Sequence, residues 1–331
     1  MVCMTGRSIA APLQTLFAEL LQQAETTDPA GSVYERTRDG ITYLYAKLPV
    51  GTTRVDRFLG RADDAAAVAL AEAMRQGAAQ ARERRSLVAM LKRGGLAGPD
   101  RRLGAALDAI AYAGLFRGGA VLVGTAAYMM SGPLVGHLLP APTLMTGDLD
   151  LATASLALSA DPPERMEAIL RRADPSFQAI MPLDPGNPAS RFRSGDGYLV
   201  DLVTPQRSRA DPNPKPLKAL EAGAAPLQHL AWLIADPVAS VALWGAGIPV
   251  TIPQPARFAV HKLILAQRRE GAHRLKRAKD LAQAQALMAA LQRFDPFLLE
   301  DALDSARAMG KAGWADPIDR SLKEIARSAN P

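Results

Sequence analysis

A chain of 331 residues, 48% hydrophobic and 22% charged, is long enough to bury a sizeable core and too apolar to be disordered. Its 39 Lys and Arg against 33 Asp and Glu leave a formal net charge of +6, which suits anionic partners such as nucleotides or nucleic acid without selecting one. The single cysteine, Cys3, excludes a disulfide framework and a Cys-based zinc site, and "MVCMTGRSIAAPLQTLFAELL" lacks the basic start and long apolar run of a signal peptide, so a cytoplasmic protein is expected.

Leu13, Leu16, Phe17, Leu20 and Leu21 recur at helical spacing and predict an amphipathic helix over 12–24. Asp39-Gly40 then sits between runs rich in Val, Tyr, Ile and Thr, which predicts a β-hairpin, with "TTRVDRFLG" as a third strand. A long helix is expected from about Asp63 to Leu91, closed by Gly94-Gly95; its basic "RQGAAQARERR" portion reads as a solvated face. From Pro99 the texture becomes helix (100–116), strand "AVLVG", helix "TAAYMMSG" and a loop. Between Arg117 and Asp148 no Asp, Glu, Lys or Arg occurs, but glycines and prolines divide the stretch into pieces too short to span a bilayer, so it reads as buried core followed by a loop, with no membrane partner. A strand carrying Asp148 and Asp150, a helix over 162–172, and short strands ending in "GYLVDLVTP" follow. "RSRADPNPKP" is a polar loop, and after "GIPVTIPQP" the chain is expected to be helical almost to its end. Trp232 and Trp244 are expected to anchor an interdomain core.

Three features in this order carry chemistry. At Gly124-Thr125 a hydrophobic strand runs into a helix, where glycine lets a phosphate approach the backbone, the Thr125 hydroxyl donates, and unpaired helix N–H groups favour an anion. In "TLMTGDLDLA", strand alternation points Asp148 and Asp150 to one face and Leu149 and Leu151 to the core. Two like charges so close need either full solvation in an exposed turn or a divalent cation between them. Asp201, inside the apolar "YLVDLV", is costly unless paired or metal-bound. Three hard-oxygen ligands beside a phosphate-binding turn suit metal-assisted nucleotidyl transfer, in which one ion neutralises a triphosphate and another activates the attacking hydroxyl.

"LVGTAAY" (122–128), "TGDLDLA" (146–152), "VDLVTP" (200–205) and "HKLILAQRR" (261–269) together resemble the polymerase-β-like nucleotidyltransferase superfamily, and within it a bacterial nucleotidyltransferase fold family of the nucleotidyltransferase-8 type. The resemblance runs over about residues 30–290. It implies an α+β fold: a mixed β-sheet core flanked by helices, an N-terminal β-hairpin and helix region (1–98), a catalytic core (99–210) and a mainly helical C-terminal domain (211–331). It also implies transfer of NMP from an NTP to an unidentified acceptor (protein, tRNA or small molecule) with release of pyrophosphate. Asp148, Asp150 and Asp201 would then hold two Mg²⁺ or Mn²⁺ ions, and Gly124, Thr125, Lys262, Lys276 and Lys279 would bind the nucleotide. Two departures stand out: the 22 residues between Thr125 and Asp148 imply an inserted loop, and Met145 replaces an arginine expected before Thr146.

Arg257 and Arg268 complete the cations of the C-terminal helices, for which a plain solvent-facing basic helix pair is the other reading. Four histidines (137, 229, 261 and 273) without H-x-x-x-H or H-E-x-x-H spacing argue against a zinc enzyme, and the absence of G-x-S-x-G argues against a serine hydrolase. Two further readings stand beside the first. One is a D-x-D glycosyltransferase that holds a nucleotide-sugar diphosphate through Mn²⁺; the other is a non-catalytic nucleotide or nucleic-acid binding module of a toxin-antitoxin or defence pair.

Overall fold

The computed structural model describes residues 7–26, 31–140, 146–154, 164–184, 186–206, 212–269 and 274–329. Strand β1 (Arg7–Ser8) leads into α1 (Ala11–Thr26), whose Phe17 and Leu20 are buried. Strands β2 (Ser32–Arg38), β3 (Ile41–Val50) and β4 (Thr53–Arg61) form a three-stranded antiparallel sheet in the order β2-β3-β4. Asp39 and Gly40, at φ 51° and 76°, both take the left-handed conformation that a tight two-residue hairpin turn requires. Leu44, Ala46, Leu48 and Val50 bury one face of β3. That face packs towards α2 (Ala65–Arg93), which starts where the Asp64 carboxylate accepts a hydrogen bond from the Ala66 N–H and ends at Gly94.

Helix α3 (Arg101–Tyr112) is capped by Asp100, whose carboxylate accepts from the Leu103 N–H. Strand β5 (Val121–Val123) passes directly into α4 (Gly124–Ser131), a 3₁₀ turn (Pro133–Val135) and β6 (His137–Leu138). Next come β7 (Asp148–Ala152), α5 (Met166–Arg171), β8 (Gln178–Ala179), β9 (Arg191–Arg193), β10 (Leu199–Pro205), β11 (Lys215–Leu217) and β12 (Ala222–Leu227). These build a mixed seven-stranded sheet in the order β11-β12-β10-β7-β5, with β9 pairing β10 and β8 pairing β9. Strand β10 runs parallel to β7 and β12, and β5 antiparallel to β7. Leu149, Leu151, Val200 and Leu202 bury the core face of the central strands.

The chain continues through α6 (Leu230–Leu233), the hairpin β13 (Pro237–Ala242) and β14 (Ile248–Pro253), and helices α7 (Pro255–Ala266), α8 (Arg274–Phe294), α9 (Pro296–Ala308) and α10 (Asp316–Ala329), with a π-helical turn at Lys311–Ala315. The class is α+β, as the sequence predicts. No helix among the described residues is long and apolar enough to cross a membrane.

Several elements differ from the sequence reading. The stretch expected as a loop after α4 holds a 3₁₀ turn and β6, because His137 and Leu138 find backbone partners in Ser8 and Arg7. The helix expected over 162–172 is assigned only at Met166–Arg171, with its expected first residues outside the described ones. After residue 210 the chain is not yet helical: β11 and β12 extend the central sheet, and β13–β14 precede the helices. Met145 and the first half of "RSRADPNPKP" (207–211) lie outside the described residues, and its last two residues, Lys215 and Pro216, belong to β11 rather than to a loop. Both tryptophans pack as anchors. A Cβ on Gly104 of α3 would meet the Trp244 ring at 2.3 Å, so that helix lies flush on the indole. Trp232 meets Trp314 edge-on at 5.6 Å and donates its Nε1–H to Ser305 Oγ at 3.0 Å.

Candidate active site

The β5–α4 junction, the outward faces of β7 and β10, and helices α7 and α8 enclose a cleft of about 610 Å³. Parallel pairing sets Asp150 opposite Asp201, and antiparallel pairing sets it opposite Val123, so the strand ends converge on Gly124. Gly124 has φ +67°, and a Cβ there would lie 2.4 Å from Asp150 Oδ2. Only glycine satisfies both the left-handed backbone and this approach of a carboxylate. Helix α4 begins at that point with no side-chain cap, so its first N–H groups face the cleft end of the strand without a side-chain acceptor.

Asp148 and Asp150 share the cleft face of β7, with Leu149 and Leu151 buried behind them. The Thr146 hydroxyl donates to Asp148 Oδ1 at 2.7 Å, and Lys276 Nζ stands 3.6 Å from Asp148 Oδ2. Burial, reinforced by the charges of Asp148 and Asp201, pushes the Asp150 carboxyl up to about 6, against a smaller opposing pull from Lys262 and Lys276. Asp201 is engaged from the next strand: Arg191 on β9 donates Nε–H to Oδ1 at 2.7 Å and Nη2–H to Oδ2 at 2.6 Å. This bidentate contact raises the Arg191 pKa above its ordinary value, despite the opposing effect of burial. Each Asp201 oxygen thereby accepts one hydrogen bond. Among the described residues, no group of three or more His, Cys, Asp or Glu side chains is arranged to hold a metal ion.

Of the expected cations, Lys262, Arg268, Lys276 and Lys279 line the same cleft but differ in their roles. Lys262 is buried and donates Nζ–H to Asp280 Oδ1 at 2.7 Å, while Arg269 donates to the other oxygen at 2.9 Å, so its charge is shared with a carboxylate that sequence reasoning did not single out. Lys276 pairs with Asp148. Burial, together with the charges of Lys262 and Lys276, lowers the Lys279 pKa. Thr125 Oγ1 accepts a long 3.4 Å hydrogen bond from Gln283 Nε2. Burial, then Lys262 and His229, holds His261 down to about 3, so it is neutral here. Arg257 is occupied elsewhere, stacking on Trp232 at 5.0 Å and donating to the Trp232 carbonyl at 2.9 Å. Among the described residues, six lysines and arginines against four aspartates line the cleft, a balance that suits a polyanion.

A family model described as nucleotidyltransferase matches residues 101–308. The chain belongs to this nucleotidyltransferase family. No curated protein and no solved structure is significantly similar to it. The matched segment contains the central sheet, the cleft and the helices α7 and α8 that close it. Arg191 and Asp280 are cleft residues outside the motifs, and Arg269, at the end of "HKLILAQRR", was not singled out. Arg191 had little signal: "RFR" is a three-residue strand around Phe192, too short for alternation to identify it ahead of "YLVDLV". Asp280, surrounded by lysines in "KRAKDLAQ", had none, because its burial comes from α7 packing on α8.

Proposed function

We propose that this protein transfers NMP from an NTP to an acceptor hydroxyl or phosphate, with the triphosphate seated at the Gly124-Thr125 turn and a divalent cation on Asp148 and Asp150. The observation that carries the reading is the abutment of Gly124 on Asp150: an uncapped helix start suited to phosphate and a carboxylate pair suited to a cation form one wall of one cleft. The donor set fits Mg²⁺ or Mn²⁺, since both groups are hard oxygen ligands on one face of β7. A divalent cation bound there supplies charge neutralisation for the triphosphate and acidifies the attacking group. Asp201, opposite Asp150 on β10, keeps a lone pair on each oxygen beside the Arg191 fork and would complete the site for a second ion.

The remaining work falls to the chain's own groups. The first N–H groups of α4 and the Thr125 hydroxyl orient the phosphates. Lys276 and Lys279, on one side of α8, favour the charge that grows on the leaving pyrophosphate, while Asp280 fixes Lys262 and Arg269 behind them. In the transfer, an acceptor oxygen bonds to the α-phosphorus as the bond to the bridging oxygen of pyrophosphate breaks, and a hydroxyl acceptor gives up its proton to solvent. The D-x-D glycosyltransferase reading gains nothing from the glycine turn at Asp150, and the non-catalytic reading leaves the acidic pair without a use.

The test is incubation of the protein with each α-labelled NTP, Mg²⁺ or Mn²⁺ and a cell extract, beside the Asp148→Asn/Asp150→Asn variant. Label moved to an acceptor by the wild type and not by the variant supports the reading. No transfer by the wild type with any NTP sinks it.

A further inference from the structure

In the three-stranded sheet β2-β3-β4 one face belongs to the core and the other is turned outward. Since Leu44, Ala46, Leu48 and Val50 are buried, the two-residue period of a strand turns Tyr43, Tyr45 and Lys47 the other way. The register places Tyr34 and Phe58 on either side of Tyr45, across three adjacent strands. Tyr34 and Tyr45 stack at 5.7 Å with planes 20° apart, Tyr45 meets Phe58 at 5.3 Å, and Tyr43 meets Phe58 at 6.0 Å. Phe58 is 56% exposed. A lone exposed phenylalanine is ordinary; a continuous row of four rings on an outward sheet face marks an interaction surface.

Cations surround the row. At register positions of the same face lie Arg36 and Arg38 on β2, Lys47 on β3, and Arg54 and Arg61 on β4. The Arg36 guanidinium covers Tyr34 and Tyr45, 5.3 Å from each centroid, which leaves Phe58 and Tyr43 as the rings without an arginine over them in the described contacts. Asp56 is the one carboxylate at these positions, 3.8 Å from Arg36, and Arg61 is paired with Asp63 beyond the strand at 2.6 Å. Arg38 stands 3.6 Å from Asp39 of the hairpin turn. Five cations against three carboxylates, Asp39, Asp56 and Asp63, still leave this face positive and suit a polyanion, and flat rings between the cations suit flat groups carried by that polyanion. A duplex hides its base faces, and an anionic membrane or acidic peptide offers charge without planar rings. A single strand offers phosphates and bases together.

We propose that the outward face of this sheet binds single-stranded nucleic acid, with bases stacking on Phe58 and Tyr43 and phosphates held by Arg36, Arg38 and Arg54. The site is independent of the transfer reaction. It is tested on the whole chain without any NTP, by fluorescence anisotropy of short labelled oligouridylate, oligoadenylate and oligothymidylate, with a DNA duplex and vesicles of anionic phosphatidylglycerol as comparisons. Single strands are expected to bind, more tightly than duplex, with affinity falling between about 50 and about 200 mM salt; the RNA and DNA arms show which sugar is preferred. Tyr43→Ala/Phe58→Ala is expected to weaken binding about tenfold or more while the salt slope holds, since stacking carries little charge dependence. Arg36→Gln/Arg38→Gln is expected to weaken binding and flatten the slope by about 1.4, from about 0.7 per phosphate contact. Melting curves check that the variants fold, and the arginine pair, whose Arg36 side chain is 61% exposed, carries the test if the aromatic pair does not fold. No single-strand binding at the lowest salt, binding unaltered in the folded variants, or binding to vesicles alone would overturn the proposal.

Discussion

Gly124 and Asp150 form the tightest joint in the cleft. An alanine at 124 would sit in a left-handed conformation, which costs about 1–2 kcal/mol, and its Cβ would displace the Asp150 carboxylate. Gly124→Ala is therefore expected to lower the melting temperature by several degrees and to abolish cation-dependent nucleotide binding; a thermal-shift series with and without Mn²⁺ and nucleotide reads both. His261 makes a second prediction at this scale. Its folded pKa of about 3 lies below the unfolded value of about 6.5, so the unfolded chain takes up a proton that the folded chain refuses. The stability contributed is complete above about pH 6.5 and is lost as pH falls towards 3, by up to about 1.4 kcal/mol per pH unit. His261→Gln removes this dependence, and urea unfolding at a series of pH values should show a shallower acid loss than the wild type.

At the scale of elements, α7 and α8 are joined by the Lys262–Asp280–Arg269 cluster, in which the Lys262 and Asp280 side chains are 8% and 4% exposed. Removing one partner of a buried pair leaves an uncompensated charge and costs about 3–5 kcal/mol. Asp280→Asn should accordingly lose stability of that order in chemical denaturation, far more than a surface aspartate such as Asp304, whose side chain is 82% exposed. This is also where the sequence was least legible. Strands with clear alternation or a clear turn were readable: the Asp39-Gly40 hairpin, and Asp148 and Asp150 on one face with leucines behind. Asp201 was readable as an anomaly but not in its outcome, because the partner that resolves it, Arg191, comes from a three-residue strand too short to carry a period. Lys262 was readable as a cation near the site; that it is bound to Asp280 follows from helix packing, which no local pattern encodes.

At the scale of the molecule, one apolar core runs through regions that composition separates. Leu48 and Val50 of the N-terminal sheet, Leu122 and Leu151 of the central sheet, and Leu263 and Leu299 of the C-terminal helices belong to one cluster, while Phe17 and Leu20 of α1 join Leu91 of α2 to Val241 and Leu243 near β13. Because residues 1–98 bury surface on both sides, the protein is expected to unfold in one cooperative thermal transition. A fragment starting at residue 99, which retains the whole family-matched segment, should fail to fold cooperatively and expose apolar surface to a dye such as ANS. The central claim is that the acidic pair and the glycine turn act together on a cation and a triphosphate. Calorimetric titration of the protein with a non-hydrolysable NTP analogue, with and without Mn²⁺, tests it most directly. The account predicts binding that requires Mn²⁺ and disappears in Asp150→Asn; equal binding without the metal, or binding that survives in Asp150→Asn, would contradict it.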